Sequence, residues 1–418
     1  MKLRRVVVTG LGAVSPIGND IPTLWENAKA GVSGAGPITH FDASLFKTKF
    51  ACEVKNFDAT AYLDKKEVRK VGQHSHYGIA AAIEAMNDCA IDLEKVDLDR
   101  FGVIFGEGVG GLTSFEEEFG SFVLNKENGP RFTPFLITKM ITDMTVGMLS
   151  IKYGLKGPNY VTTSACASSS NALIDAYDQI RLGRADMMLA GGAEAAICYV
   201  GVGGFNSMHA LSTRNDEAER ASRPFSKSRD GFVIGEGGAC LVFEEYEHAI
   251  ARGAKIYAEV AGTGLSGDAY HITAPLPNGE GAAKVMQYAI EEAGIKPEDI
   301  DYINTHGTST YAGDIAEVSA IKTVFGEHAY KLNISSTKSM TGHLLGGAGA
   351  LEAVLTVLSV KNNIVPPTIN HADGDEDEKI DYNLNFTFNK AQERVVNAAI
   401  SNTFGFGGHN TSIVFKKI

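Results

Sequence analysis

Pro158-Asn159-Tyr160-Val161-Thr162-Thr163-Ser164-Ala165-Cys166-Ala167-Ser168-Ser169-Ser170 is the stretch on which the reading of this chain turns. Pro158 to Val161 reads as a short strand. From Asn171 to Leu182, apolar Ala172, Leu173, Ala176 and Ile180 recur at three- and four-residue spacing, which predicts a helix. Cys166 then falls on a strand-to-helix turn, close to the first free NH groups of the helix. Those NH groups and the helix dipole favour a thiolate. Small Ala and Ser neighbours leave room for a substrate to reach the sulfur. A free cysteine is more often a small core residue. The turn, together with two histidine motifs further on, marks Cys166 as a candidate nucleophile.

Outward from that turn, strand-like and helical runs alternate. Arg5 to Thr9, Phe101 to Phe105, Met187 to Ala190 and Cys240 to Phe243 read as buried strands, and Ile79 to Cys89 as a helix. The pattern restarts with a strand at Ile256 to Ala261 and a helix near Ala282 to Ala293. A strand at Tyr302 to Thr305, a helix near Ile315 to Phe325, a strand at Asn333 to Ser335 and a helix at Gly349 to Val360 follow. Ala398 to Asn402 and Thr411 to Phe415 form a closing hairpin-like pair. This alternation predicts α/β layers. Strand, small-residue loop and helix around Cys166 echo strand, loop and helix around His343, so an internal duplication is expected. Its halves are residues 1–252, with the cysteine, and 253–418, with two candidate histidines. The acidic stretch Pro366 to Glu378 reads as a surface loop with Asp373 to Glu378 in solvent.

The chain has 418 residues, 44% hydrophobic and 21% charged, which is ordinary globular composition. A formal net charge of −12 argues against nucleic acid as a partner. The opening Met-Lys-Leu-Arg-Arg runs straight into Val6-Val7-Val8, too short an apolar run for a signal peptide. No apolar stretch reaches membrane-spanning length. The expectation is a soluble, cytoplasmic protein without a membrane partner. Cysteines at 52, 89, 166, 198 and 240 lack pairwise or zinc spacing, so reduced thiols and no metal site are expected.

His306 lies in Asn304-Thr305-His306-Gly307-Thr308-Ser309-Thr310, and His343 in Ser336-Thr337-Lys338-Ser339-Met340-Thr341-Gly342-His343. Both motifs follow strand ends, where α/β folds gather their chemistry. A cysteine and two histidines can form a covalent acyl-enzyme and hold a developing oxyanion. Lys338, between a strand and a glycine turn, reads as a buried, paired charge, with Glu352 on the next helix as its counter-ion.

These residues resemble the β-ketoacyl-acyl carrier protein synthases, the condensing enzymes of dissociated fatty-acid synthesis, over nearly the whole chain. The resemblance is carried by Val6 to Gly12 with Ser15-Pro16-Ile17-Gly18, by Ala165-Cys166 and by Arg223-Pro224-Phe225 running to Arg229-Asp230-Gly231-Phe232. Asn304 to Thr310, Ser335 to Leu345 and Phe404 to Gly408 complete it. It implies the thiolase-like fold, a duplicated five-layered α/β/α/β/α arrangement. It implies that Cys166 carries the acyl chain as a thioester, that His306 and His343 stabilise the enolate of decarboxylating malonyl-acyl carrier protein, and that Lys338 with Glu352 orders the histidine loop. The NH groups of Cys166 and Phe406 hold the second oxyanion. Phe406 gates the acyl pocket beside Phe404, Thr308 and Thr310 line the pantetheine tunnel, and Val109 and Phe205 shape the acyl pocket. No cofactor is implied beyond pantetheine on the carrier, and a homodimer is.

Acidic carrier proteins need a basic landing site on an acidic enzyme. Lys65, Lys66, Arg69 and Lys70, on a short helix, form one. Two residues depart from the family pattern: His209, where an arginine that touches the carrier is usual, and Glu107, where a small or hydroxyl residue is. Glu107 either points away from the acyl pocket or alters chain-length preference. Sibling enzymes remain open, namely a type I synthase or a polyketide ketosynthase. A silent chain-length partner subunit would lack the nucleophile. A cysteine hydrolase would not need the lysine motif, and a thiolase would carry a second cysteine near residues 401–410.

Overall fold

The computed structural model describes residues 3–418. Ten strands form its main sheet: β1 (Val6–Val14), β2 (Phe101–Gly106), β3 (Asn159–Thr162), β4 (Met187–Glu194), β5 (Gly237–Glu245), β6 (Ala258–Gly267), β7 (Tyr302–Asn304), β8 (Asn333–Ser335), β9 (Ala398–Gly405) and β10 (His409–Lys416). Among the helices around it are α1 (Gln73–Cys89), α2 (Ser168–Arg181), α3 (Glu280–Ala293), α4 (Tyr311–Phe325) and α5 (Ala348–Asn362).

The strand order across the sheet is β8-β7-β9-β10-β6-β1-β5-β4-β2-β3. From the centre outward one side reads β1-β5-β4-β2-β3 and the other β6-β10-β9-β7-β8, the same order with every number raised by five. The two sets meet where β1 pairs antiparallel with β6, Val6 opposite Val260. The layers follow from the contacts. α1 covers β1, β5 and β4, and α3 covers β6 and β10, with α4 beside it. α2 and α5 touch each other and strands of both sets, which makes them the middle layer. α5 shows why the sequence permits this. Residues Ala348 to Val360 are all buried and mostly apolar, and a helix hydrophobic on nearly every face belongs in a core. Its Leu351, Val354, Leu355 and Leu358 join the largest apolar cluster.

The close approach of the outer helices is written in paired glycines. A Cβ built on Gly12 of β1 would lie 2.0 Å from the Ala81 carbonyl oxygen of α1. One on Gly264 of β6 would lie 2.1 Å from that of Val285 in α3. No side chain fits at either distance, so backbone meets backbone at equivalent places in the two strand sets.

Several element ends differ from the sequence reading. β1 runs on to Val14 through Gly10 and Gly12, which carry no apolar signal. α1 starts at Gln73, because polar His74 and Ser75 are buried in its first turn. α2 starts at Ser168, because its first three serines bond inward: Ser168 Oγ accepts from the Ser164 NH, Ser169 Oγ from the Ala350 NH, and Ser170 Oγ meets Thr403 Oγ1. The acidic loop is not wholly in solvent, since Asp377 is buried against Arg229 and Asp375 accepts from Ser228. Among the described residues no helix is long and apolar enough to cross a membrane.

Gly12→Ala and Gly264→Ala should each destabilise the protein by about 1–3 kcal/mol through overpacking. Urea unfolding that leaves either midpoint unchanged would show that the helices can move aside.

Candidate active site

Four loops converge beyond strand ends. Cys166 follows β3, His306 follows β7, His343 follows β8, and Phe406 lies in the β9–β10 turn. Cys166 Sγ lies 3.1 Å from His343 Nε2. The two imidazole rings stand edge to face, centroids 5.3 Å apart. The backbone NH groups of Phe406 and of Cys166 itself lie close enough to the sulfur to pull its thiol down against burial. Close approach makes this possible: a Cβ on Gly405 would lie 2.8 Å from the Ser164 carbonyl oxygen. Ala165 sits at φ +51°, a left-handed conformation that aims the next residue into the site at some cost in strain.

Behind the histidines, Lys338 is buried and bonded to Glu352 of α5, the pair expected from the sequence. Its charge matters because the site is dry. Burial, then Lys338, then His343 hold His306 well below the usual imidazole range, and burial and Lys338 do the same to His343. Both rings are therefore neutral near pH 7. Each Nδ1 is buried without a hydrogen-bond partner. A proton there would be an unsatisfied buried donor, so we assign the ring proton to Nε2, facing the sulfur in His343 and left for the cavity in His306.

The resting thiolate expected at Cys166 is corrected. Burial pushes the thiol up to about 12, opposed by Lys338 and by the Phe406 NH. Desolvation outweighs the helix terminus, and the neutral thiol is the resting form. The other four cysteines are buried too.

A cavity of about 310 Å³ opens onto these groups. Cys166, His306 and His343 line it, and so do Thr308, Thr310, Phe205, Phe404 and Phe406. Thr308 Oγ1 and Thr310 Oγ1 lie 2.9 Å apart. Phe404 packs on His306, ring centroids 5.7 Å apart. Val109 is not in the lining: the NH groups of Gly108, Val109 and Gly110 all donate to Glu194, which turns the Val109 side chain outward, 45% exposed. Glu107 takes the first of its two alternatives and points away from the cavity. Its carboxyl accepts from Thr145 Oγ1 and lies 3.3 Å from His74 Nε2, with burial raising the acid well above its usual range and lowering His74 to about 3. Lys65, Lys66, Arg69 and Lys70 are exposed on and just after the helix Lys65–Val68, away from the cavity lining. His209 is exposed at φ +54°.

The sequence reading missed Glu317. This α4 carboxylate accepts from the His306 NH at 2.9 Å and the Gly307 NH at 2.8 Å, and so fixes the histidine loop. Its one visible signal is an acid, three residues after Asp314, amid apolar Ile315, Ala316, Val318 and Ala320. Phe232, named in a family motif but given no role at the site, packs on His343 with centroids 5.3 Å apart. Among the described residues no group of three or more His, Cys, Asp or Glu is arranged to hold a metal ion.

Comparison with known proteins gives the setting. The model of the β-ketoacyl synthase N-terminal domain matches residues 3–249, and that of the C-terminal domain matches residues 257–372. A 3-oxoacyl-[acyl-carrier-protein] synthase 2 of Synechocystis is 48% identical over 418 residues, covering 100% of this chain and 99% of the relative. The crystal structure of a β-ketoacyl synthase from Burkholderia phymatum is 37% identical with TM-score 0.91, over 99% of this chain and 100% of that one. A type II polyketide ketosynthase solved in complex with its acyl-carrier protein is 33% identical with TM-score 0.88, both chains fully covered.

Iodoacetamide should label Cys166 before the four cysteines that do not line the cavity. With the thiol near 12, the rate should climb about tenfold per pH unit from pH 7 to 9. A plateau in that range would mean a resting thiolate.

Proposed function

The chain belongs to the β-ketoacyl synthase family, and on that premise we propose that it is a 3-oxoacyl-[acyl-carrier-protein] synthase that lengthens fatty-acyl chains by two carbons. The observation that carries this reading is the 3.1 Å contact of Cys166 Sγ with His343 Nε2, beside a second neutral histidine, at the end of a cavity.

In the first half-reaction the Cys166 sulfur attacks the thioester of an acyl carrier protein. The Sγ–acyl bond forms, the bond between the acyl carbonyl carbon and the pantetheine sulfur breaks, and the thiol proton ends on the departing pantetheine sulfur. Malonyl-carrier then enters. Its carboxylate leaves as carbon dioxide, and the electron pair moves into an enolate whose oxygen accepts from Nε2–H of His306 and His343. Neutral rings suit this role, because each keeps a proton to donate. The enolate carbon attacks the acyl-Cys166 carbonyl, and that oxyanion accepts from the NH groups of Cys166 and Phe406. Collapse expels the thiolate, which takes up one proton from water. Lys338 and Glu352 orient the histidine loop, Thr308 and Thr310 hold the pantetheine arm, and Phe406 gates the acyl side with Phe404 and Phe205 beside it. The chemistry needs no cofactor beyond the carrier's pantetheine, and cytoplasmic action fits it.

The two halves, 1–252 and 253–418, act as one body. A two-fold homodimer is proposed through β3, the last strand of the sheet, which has one free edge and an exposed Tyr160. A light-scattering mass equal to the 44.5 kDa of one chain contradicts it. Fatty-acid elongation is preferred over polyketide synthesis because identity is 48% to the synthase 2 relative and 33% to the polyketide ketosynthase.

His306→Ala and His343→Ala should each slow malonyl-carrier decarboxylation about 10²–10³-fold, the loss of one oxyanion donor. Acylation of Cys166, read by mass spectrometry, should fall less. Because both imidazoles are held well below 6.5, they stay neutral from pH 6 to 8 and the decarboxylation rate should be flat there. A fall in rate at pH 6 that follows an imidazole titration would overturn the neutral-donor role.

The carrier is proposed to land on Lys65, Lys66, Arg69 and Lys70, all exposed and none of them in an ion pair among the described residues. Reversing all four to Glu should raise KM for carrier-bound substrate and flatten its salt dependence, since exposed charges are screened within about 10 Å at 0.1 M salt. A free pantetheine thioester should react almost normally. Equal losses on both substrates would mean damage to the fold instead.

A further inference from the structure

The segment Arg223-Pro224-Phe225 to Arg229-Asp230-Gly231-Phe232 has one role so far, the packing of Phe232 on His343. The rest of it grips the tunnel wall from behind. The Arg223 NH donates to Ser309 Oγ at 3.1 Å, and the Gly231 NH to the Ser309 carbonyl at 3.1 Å. Ser309 lies between the two cavity threonines at φ +67°, a conformation that a serine holds only under such constraint.

Arg229 completes the grip. Its side chain is fully buried. It donates to the Tyr311 carbonyl at 2.9 Å, to the Thr310 carbonyl at 3.3 Å and to the Ser226 carbonyl at 2.6 Å. Asp377 of the acidic loop lies 2.9 Å from the guanidinium, and Asp314 of α4 lies 3.5 Å from it. Asp314 in turn accepts from the Phe225 NH at 2.8 Å. One guanidinium thus joins the acidic loop, α4 and the carbonyls that set where Thr310 stands. None of these groups touches the sulfur or either catalytic imidazole.

We propose that Arg229 is a positioning residue for the pantetheine arm: it fixes the Thr308–Thr310 wall, and through it the binding of carrier-borne substrates rather than the chemistry. The inference rests on the reading of Thr308 and Thr310 as the wall that holds the arm. Lysine keeps the charge but has no planar fork to span the Thr310 and Tyr311 carbonyls together.

The experiment compares Arg229→Lys, Thr310→Val and the double variant, with malonyl-carrier kinetics and iodoacetamide labelling of Cys166 as readouts. Arg229→Lys should raise KM about tenfold, with kcat within about twofold, the pattern of lost ground-state binding. Labelling of Cys166 should be unchanged, because iodoacetamide needs no arm. The double variant should have a KM no higher than the worse single one, since both changes remove the same contact. A normal KM in Thr310→Val overturns the reading of the wall, and the proposal with it. A raised KM in Thr310→Val beside a normal one in Arg229→Lys, or multiplied effects in the double variant, overturns the proposal alone. A loss in kcat, or slowed labelling, in Arg229→Lys means that it acts on the nucleophile turn, which also overturns the proposal. Should Arg229→Lys not fold, Asp377→Asn keeps the arginine and removes the carboxylate that anchors its guanidinium. It should raise KM about threefold at unchanged kcat, and an unchanged KM contradicts the proposal.

Discussion

The buried pair of Lys338 and Glu352 is the constraint on which the site depends. Both side chains are nearly sealed from water. A buried ion pair is weak evidence of net stability, but removing one partner strands the other charge and costs about 3–5 kcal/mol. Here the pair ties the loop after β8 to the middle-layer helix α5, so the histidine on that loop cannot drift from the sulfur. It also fixes a positive charge beside both imidazoles and the thiol. Protonating either ring would place a second cation next to Lys338 without water to screen it. Burial is the larger reason that the rings stay neutral donors, and Lys338 adds to it; the same charge pulls against the burial that raises the thiol.

Buried carboxylates do a related job elsewhere. Glu317 accepts from two consecutive NH groups of the His306 loop, and Glu194 from three in the loop after β2 and from Gly346 after β8. Burial lifts both acids to about 7, and the NH groups pull them down. Loops that hold still without regular structure need such acceptors, since a buried NH without a partner costs about 1–3 kcal/mol. The repeated strand order brings these loops together. Equivalent turns, after β3 in one set and after β8 in the other, carry the nucleophile and a histidine, and the shared layer of α2 and α5 draws them face to face.

Most of the strands were legible because they hold a short apolar run between Gly or polar turns, and the helices because their apolar residues recur at helical spacing. The meeting of Cys166, His306, His343 and Lys338 was legible from loop motifs placed after strand ends. What escaped depends on long-range burial. Nothing local says that Glu107 turns inward to His74, that Val109 turns out because Glu194 holds its loop, or that the sulfur is so dry that the helix terminus cannot keep it ionised. Ser169 and Ser170 at the start of α2 look like a loop until their partners 181 and 233 residues away are known. Glu317 looks like any helical acid until the backbone it holds is seen.

The central claim is electrostatic: burial first, reinforced by the charge of Lys338, keeps His306 and His343 neutral, with the proton on Nε2. The direct measurement is imidazole ¹⁵N NMR of the whole enzyme titrated downward from pH 6, wild type beside Lys338→Met. The account predicts two neutral Nε2–H rings in the wild type, and in the variant rings that begin to protonate at a higher pH than in the wild type, since burial then acts without Lys338. An imidazolium signal from either ring in the wild type at pH 6 would contradict it.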